Sequence, residues 1–353
     1  MEVLAQIKGI KYTPFLCRRL HVYTFNDMRE AFRKDASFIL RINCENQLGI
    51  SWWVSPKRTR SYPYARVYDT LSFLGKRVTI MPLIKDEGKD GDRDFLQWDT
   101  VSLMSLLGVY VIITYYANAS PSQKYSNKIT DQEFDLALVK DEIKKLLSYQ
   151  SDALHWNLSQ LDNVSKIGGK ALSAYARIAK KLGIEMHSLE SSKKRIGELI
   201  KGKDCFMTLS RNLAQKAQYR ESLTRQPKEN LTGTKSILTI KNYLGGFYYF
   251  TCDEVEIKSK EAYLVEGKHT KRAALPSLED IKDGLLKMTL FTNLHDLKID
   301  GLNYTAVPVL KLTTGAGFGL SSLTNSPINL LNDLKKEAQT NGFKVLINGE
   351  VLK

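Results

Sequence analysis

Cysteine is scarce and scattered. The four residues Cys17, Cys44, Cys205 and Cys252 stand far apart with no CxxC pair, which excludes a spaced zinc site and a dense disulfide framework. A reducing, cytoplasmic setting is the expectation. The opening MEVLAQIKGIKYTP lacks a signal-peptide core. Long apolar runs are missing as well. Val101 to Ala117 reaches only the lower limit of a membrane span and is interrupted by Ser102, Ser105, Gly108 and Thr114, so it reads as a buried helix followed by a core strand, with no membrane partner. No internal repeat or low-complexity tract is evident.

Two apparent ligand motifs fail on inspection. Asp86 to Asp94, DEGKDGDRD, is dense in carboxylates, but counting from Asp90 the EF-hand glycine position holds Phe95 and the closing glutamate position holds Val101. A solvated acidic loop, or one facing a partner, is expected there. Gly315, Gly317 and Gly319 form a GxGxG without the rest of the dinucleotide fingerprint, so a flexible turn is the reading.

What is present is a globular chain with room for two domains. Its 353 residues are 43% apolar and 25% charged. The net charge of +14 points to a polyanionic partner.

The elements suggest three regions: an α/β region over residues 1–125, a helical region over 126–204, and a further domain over 205–353. In the first, Phe38–Asn43 and Val78–Ile84 read as strands, with Pro82 making the second an edge candidate. Asp99–Leu107 reads as a helix and Val109–Tyr116 as a fully buried strand. Between the first two strands, Ser51–Tyr68 interleaves Lys57, Arg58, Arg60 and Arg66 with Trp52, Trp53, Tyr62 and Tyr64. Such a loop suits phosphate gripping and base contact; the alternative is a packed aromatic loop with solvated charges. Ser120–Asn127 reads as a linker. Leu136–Leu147 supports one helix, and Ala171–Leu182 a second that is basic through Arg177, Lys180 and Lys181, with Gly168-Gly169 breaking the pattern before it. Thr208–Leu223 reads as a further basic helix. Near the C-terminus Val307–Leu312 reads as a strand, Leu330–Ala338 as a helix, and Phe343–Leu352 as a hairpin turning at Asn348-Gly349.

The richest stretch is Gly246–Arg272. The β-rich runs Phe247–Ile257 and Ala262–Val265 flank the polar Lys258–Glu261, an antiparallel hairpin signal. A turn centred between Ser259 and Lys260 places Asp253 opposite Glu266. Glu266 and Lys268, two apart, project from one face. Two acids for a hard divalent cation and an ammonium near the attacking water are minimal equipment for metal-assisted phosphodiester hydrolysis. Cys252 beside them reads as a small buried hydrophobe. After the hairpin, Ser277 is an N-cap with Asp280 at the third helical position. Ile281, Leu285, Met288, Thr289 and Thr292 then recur at helical spacing, leaving Lys282 and Lys287 free for phosphates.

The order of Asp253 and then Glu266-x-Lys268 resembles the PD-(D/E)xK nuclease superfamily, type II restriction enzymes in particular, over about residues 205–315. The resemblance implies an α/β fold with a mixed central sheet flanked by helices, the N-terminal α/β region being an addition. It also implies a Mg²⁺-dependent, sequence-specific endonuclease on double-stranded DNA that leaves 5'-phosphate and 3'-hydroxyl ends. On that reading Asp253 and Glu266 hold the metal, Lys268 acts on the water, and Lys271 and Arg272 join the basic loop in binding DNA. A further metal-positioning acid would come from upstream, Glu221 being the candidate and Glu229 the alternative. Glu254 and Glu256 are expected to face solvent. A homodimer is expected by analogy, since cutting both strands needs two sites. The rival reading is a non-catalytic nucleic-acid-binding protein with a degenerate nuclease fold.

Overall fold

A computed structural model describes residues 2–57, 62–200, 234–242, 247–315 and 325–352. The chain divides into two compact units, one of residues 20–212 and one of residues 1–19 with 213–353. This differs from the three consecutive regions read from the sequence. The cause is the first strand, β1 (Glu2–Ile7), which pairs in parallel with β11 (Thr234–Asn242) and antiparallel with β14 (Leu294–Ile299).

The unit of residues 20–212 is built on a five-stranded mixed sheet of order β2-β3-β4-β5-β8. Its strands are β2 (Val22–Thr24), β3 (Ser37–Arg41), β4 (Gln47–Trp52), β5 (Arg77–Pro82) and β8 (Val109–Thr114). Two hairpins accompany the sheet, β6 (Ile84–Asp86) with β7 (Arg93–Phe95) between β5 and β8, and β9 (Tyr116–Pro121) with β10 (Ile129–Phe134) after β8. The helices are α1 (Met28–Lys34), α2 (Pro63–Tyr68), α3 (Trp98–Leu106), α4 (Leu136–Leu147), α5 (Ala153–Gln160), α6 (Val164–Leu182) and α7 (Leu189–Ile200). The core strands and the helices α3 and α4 lie where periodicity places them. Apolar β-branched strand residues such as Ile50, Val78, Ile80, Val111 and Ile113 are fully buried between these layers.

Three local expectations are overturned. Pro82 is not on an edge strand, because β5 lies between β4 and β8; it is the strand's last residue, where the following Leu83 N–H resumes bonding to Thr114. Ser120–Asn127 is not a linker but part of the β9–β10 hairpin. Gly168-Gly169 does not break a helix, since α6 runs straight through it. A Cβ at Gly168 would lie 2.7 Å from Ile196 Cγ2, so the missing side chain admits α7 against α6.

β8 is one of the two edges of this sheet, β2 being the other, and side chains cover it. Asn157 Oδ1 accepts the Val111 N–H at 2.6 Å while its amide donates to the Val109 carbonyl at 3.0 Å, and Trp156 Nε1 donates to the Val111 carbonyl at 2.8 Å. The α5 side chains thus act as a surrogate strand for an edge that would otherwise be unpaired.

The second unit continues with β12 (Phe247–Lys258), β13 (Glu261–Thr270), α8 (Leu278–Phe291), β15 (Leu302–Thr314), α9 (Asn325–Asn341), β16 (Lys344–Ile347) and β17 (Glu350–Val351). Its strands run β13-β12-β11-β1-β14-β15, and β15 pairs in parallel with β13, closing a six-stranded ring; β16 and β17 extend from β15. The Asn348-Gly349 turn has positive φ at both positions, 48° and 93°, the primed geometry expected of that dipeptide. Residues 8–19 are tied down by the fully buried Glu337, whose carboxylate accepts the Tyr12 hydroxyl at 2.6 Å and the Phe15 N–H at 2.8 Å. The protein is therefore mixed α/β throughout. Among the described residues no helix is long and apolar enough to cross a membrane.

Candidate functional site

β12 and β13 meet through the Ser259-Lys260 turn, with Ser259 at φ 56°, and pair from Lys258↔Glu261 to Glu254↔Val265 in the predicted register. The ladder stops there, one residue short of the acids. β12 slips against β11 between Val255 and Cys252, a bulge of the kind that re-aims side chains. Beyond it Asp253 Oδ2 accepts the Gly267 N–H at 2.9 Å.

α8 supplies the rest of the site. Ser277 caps it, accepting the Asp280 N–H at 3.1 Å, as expected. From Ile281 to Phe291 every residue except Asp283 is buried. A Cβ on Gly284 would lie 2.7 Å from Leu310 Cδ1 and 3.3 Å from Lys268 Cε, so this glycine lets the helix seat on β13 and β15. Lys282 and Lys287 are consequently buried, 3% and 1% exposed, rather than free for phosphates.

Glu266 is 1% exposed, and both of its oxygens are engaged. Oε1 lies 3.0 Å from Lys268 Nζ and Oε2 lies 2.5 Å from Lys287 Nζ. Lys268 Nζ also reaches Asp283 Oδ2 at 2.7 Å, and Lys287 Nζ donates to the Thr251 carbonyl at 3.3 Å. Two carboxylates and two ammoniums therefore form a charge-balanced network, the condition under which ions tolerate burial. Cys252 is fully buried beside it. Burial pushes its thiol well above the usual range, with the charges of Asp253 and Glu266 adding to the shift and Lys287 opposing it. It is a structural cysteine, as the sequence suggests.

Glu266 and Lys268 are thus brought together, and Asp253 reaches the backbone next to Glu266. Asp283 was not anticipated, and Lys287 was expected to be free for phosphates rather than paired with Glu266. Their only sequence signal is a pair of opposite charges at i, i+4 around Gly284, indistinguishable from a solvated helix pair. For a hard cation the carboxylate chemistry is suitable, but loading Glu266 requires an ammonium to leave it. Among the described residues no three His, Cys, Asp or Glu side chains converge on a common point.

The other predicted residues divide. Glu254 does not face solvent; it is buried and pairs with Lys311 at 3.2 Å, whereas Glu256 is exposed. Lys271 and Arg272 are exposed just beyond β13. Lys57 Nζ lies 2.5 Å from the buried Asp94, and Arg66 donates to the Trp52 carbonyl at 2.8 Å while stacking over the Trp52 ring at 4.5 Å. The contacts of Arg66, on α2, pack that helix against the end of β4, where Trp53 and the α2 residue Tyr68 are fully buried. The acidic segment is not solvated at its ends. Asp86 accepts the Gly88 N–H and lies 2.8 Å from His187 Nδ1, and Asp94 accepts the Ser55 hydroxyl at 2.7 Å. Arg58, Arg60, Glu221, Glu229, the Thr208–Leu223 helix, and Gly317 and Gly319 lie outside the described residues.

Comparison with protein-family models finds no match to this sequence. Neither the comparison with curated proteins nor that with solved structures finds one.

Proposed function

We propose that this chain is a Mg²⁺-dependent, sequence-specific endonuclease acting on double-stranded DNA, of the type II restriction kind. The observation that carries the reading is the pairing of Glu266 with Lys268 on β13, with Asp253 Oδ2 accepting the Gly267 N–H between them. Asp253 and Glu266 would hold the cation, which when bound lowers the pKa of a water and offsets charge on the phosphate. Lys268, released from Glu266, would orient that water as an ammonium held in place by Asp283 at 2.7 Å, or help deprotonate it only after giving up its own proton. Closure of the sheet into a ring is not a feature that the resemblance implies.

A second reading has its own support. Because both Glu266 oxygens already carry ammoniums, the network is complete without a metal, as in a non-catalytic nucleic-acid-binding protein. Incubation with plasmid DNA in Mg²⁺ or in EDTA separates the two. The nuclease reading expects discrete fragments only with Mg²⁺, their loss in Asp253→Asn, and turnover about a hundredfold lower in Lys268→Ala. Intact plasmid under all conditions, with DNA still retained in a binding assay, supports the binder.

A further inference from the structure

The basic helix α6, one of the helices expected from the sequence to help bind DNA, carries its cations in a specific arrangement. Over nineteen residues, VSKIGGKALSAYARIAKKL, this helix has five cationic side chains and no Asp or Glu. Neighbouring α4, by contrast, mixes Asp141 and Glu142 with Lys140, Lys144 and Lys145. Lys166, Lys170, Arg177, Lys180 and Lys181 are all exposed. At 3.6 residues per turn they fall within an arc of about 100°, along roughly 22 Å of helix. The opposite face, through Val164, Ile167, Ala171, Ala174, Tyr175 and Ile178, is buried. None of the five forms an ion pair with a described residue. Lys170 acts electrostatically on the Asp135 carboxyl and Arg177 on the Tyr115 hydroxyl.

Like charges at i, i+3 and i, i+4 destabilise a helix, and no ion pair with a described residue offsets them here. We infer that the exposed face of α6 is a docking surface for the phosphate backbone of duplex DNA. Charge complementarity names a polyanion, on a chain already at +14. The length of the row selects the partner: cations fixed on one face along roughly 22 Å of rigid helix suit a duplex, whose charge recurs about every 1.7 Å of its axis. The apolar face is buried in the unit and so is unavailable to enter a bilayer. This inference deepens the nucleic-acid reading above, since it names where DNA is held, yet it does not depend on cleavage.

The test measures binding of a fluorescent 20-base-pair duplex to the full chain in EDTA, across a KCl series, so that loss of catalysis has no effect on the readout. Replacing all five cations by Gln retains good helix formers, and circular dichroism verifies the fold. Wild type should bind with a steep salt dependence. The five-Gln variant should bind at least a hundredfold more weakly at low salt, with a log–log slope shallower by about 4. Lys166→Gln with Lys170→Gln, and Arg177→Gln with Lys180→Gln and Lys181→Gln, should each produce part of that loss, so a fold defect in one variant does not decide the matter. Unchanged slope in the folded variants overturns the inference. So does wild-type binding to phosphatidylserine vesicles without binding to the duplex, which would make the partner a membrane surface.

Discussion

Glu266→Gln is the perturbation that bears hardest on the buried network. The four charges Glu266, Lys268, Asp283 and Lys287 cancel as they stand, and Glu266 and Lys287 are each 1% exposed. Converting the carboxylate to an amide changes no volume but leaves one positive charge in excess. Lys287 Nζ then keeps only the Thr251 carbonyl and a neutral amide oxygen as acceptors. Breaking a buried ion pair by removing one partner costs about 3–5 kcal/mol. At about 2–4 °C per kcal/mol for a unit of this size, the melting temperature should fall by roughly 6–20 °C. Adding Lys287→Met restores neutrality, because Lys268 and Asp283 remain a balanced pair. The double variant should therefore lie well above the sum of the single losses, with a coupling of about 2 kcal/mol. Thermal unfolding followed by circular dichroism, completed as a double-mutant cycle, measures both quantities. A Glu266→Gln protein that melts with wild type, or strictly additive losses, would refute the ion-pair reasoning.

Other outcomes follow from the local geometry. Gly168→Ala should destabilise by about 1–3 kcal/mol through collision with Ile196, whereas Gly169→Ala, with nothing within 4 Å of its Cβ, should stabilise by about 0.5–1 kcal/mol; urea titrations of the two variants give the comparison. Asn157→Ala should cost about 2–4 kcal/mol by leaving the Val111 N–H and Val109 carbonyl of β8 buried without partners, and hydrogen exchange at Val111 should accelerate. Asp152 caps α5, and the His155 N–H is the main cause holding its carboxyl below the ordinary 3.8. A depressed folded pKa stabilises above the unfolded value and ceases to do so as pH falls through the folded one. Asp152→Ala should therefore cost about 1 kcal/mol at neutral pH, with the two proteins converging in acid below pH 3.8.

Features decided by neighbours in the chain were legible without a structure. The β12–β13 register, the Ser277 cap and the Asn348-Gly349 turn each depend on a few consecutive residues whose dihedral preferences and periodicity have one good solution. The alternation of β1, with Val3, Ala5 and Ile7 buried and Glu2, Leu4 and Gln6 exposed, is also local, although no strand was read there from the sequence. That its partners lie at residues 234–242 and 294–299 is not, because strand pairing at such separation depends on which edges the folded unit leaves open. The same limit applies at the site. Glu266-x-Lys268 could be read as one face of a strand, but whether that face meets a cation, water or another ammonium depends on what packs over it. Gly284 admits α8 to β13 and β15, and the helix is buried from Ile281 to Phe291 except at Asp283, so Lys287 is desolvated and must take Glu266 as its counter-charge. In the sequence Lys287 is an ordinary helical lysine; only the tertiary structure, by removing water from it, makes it a partner.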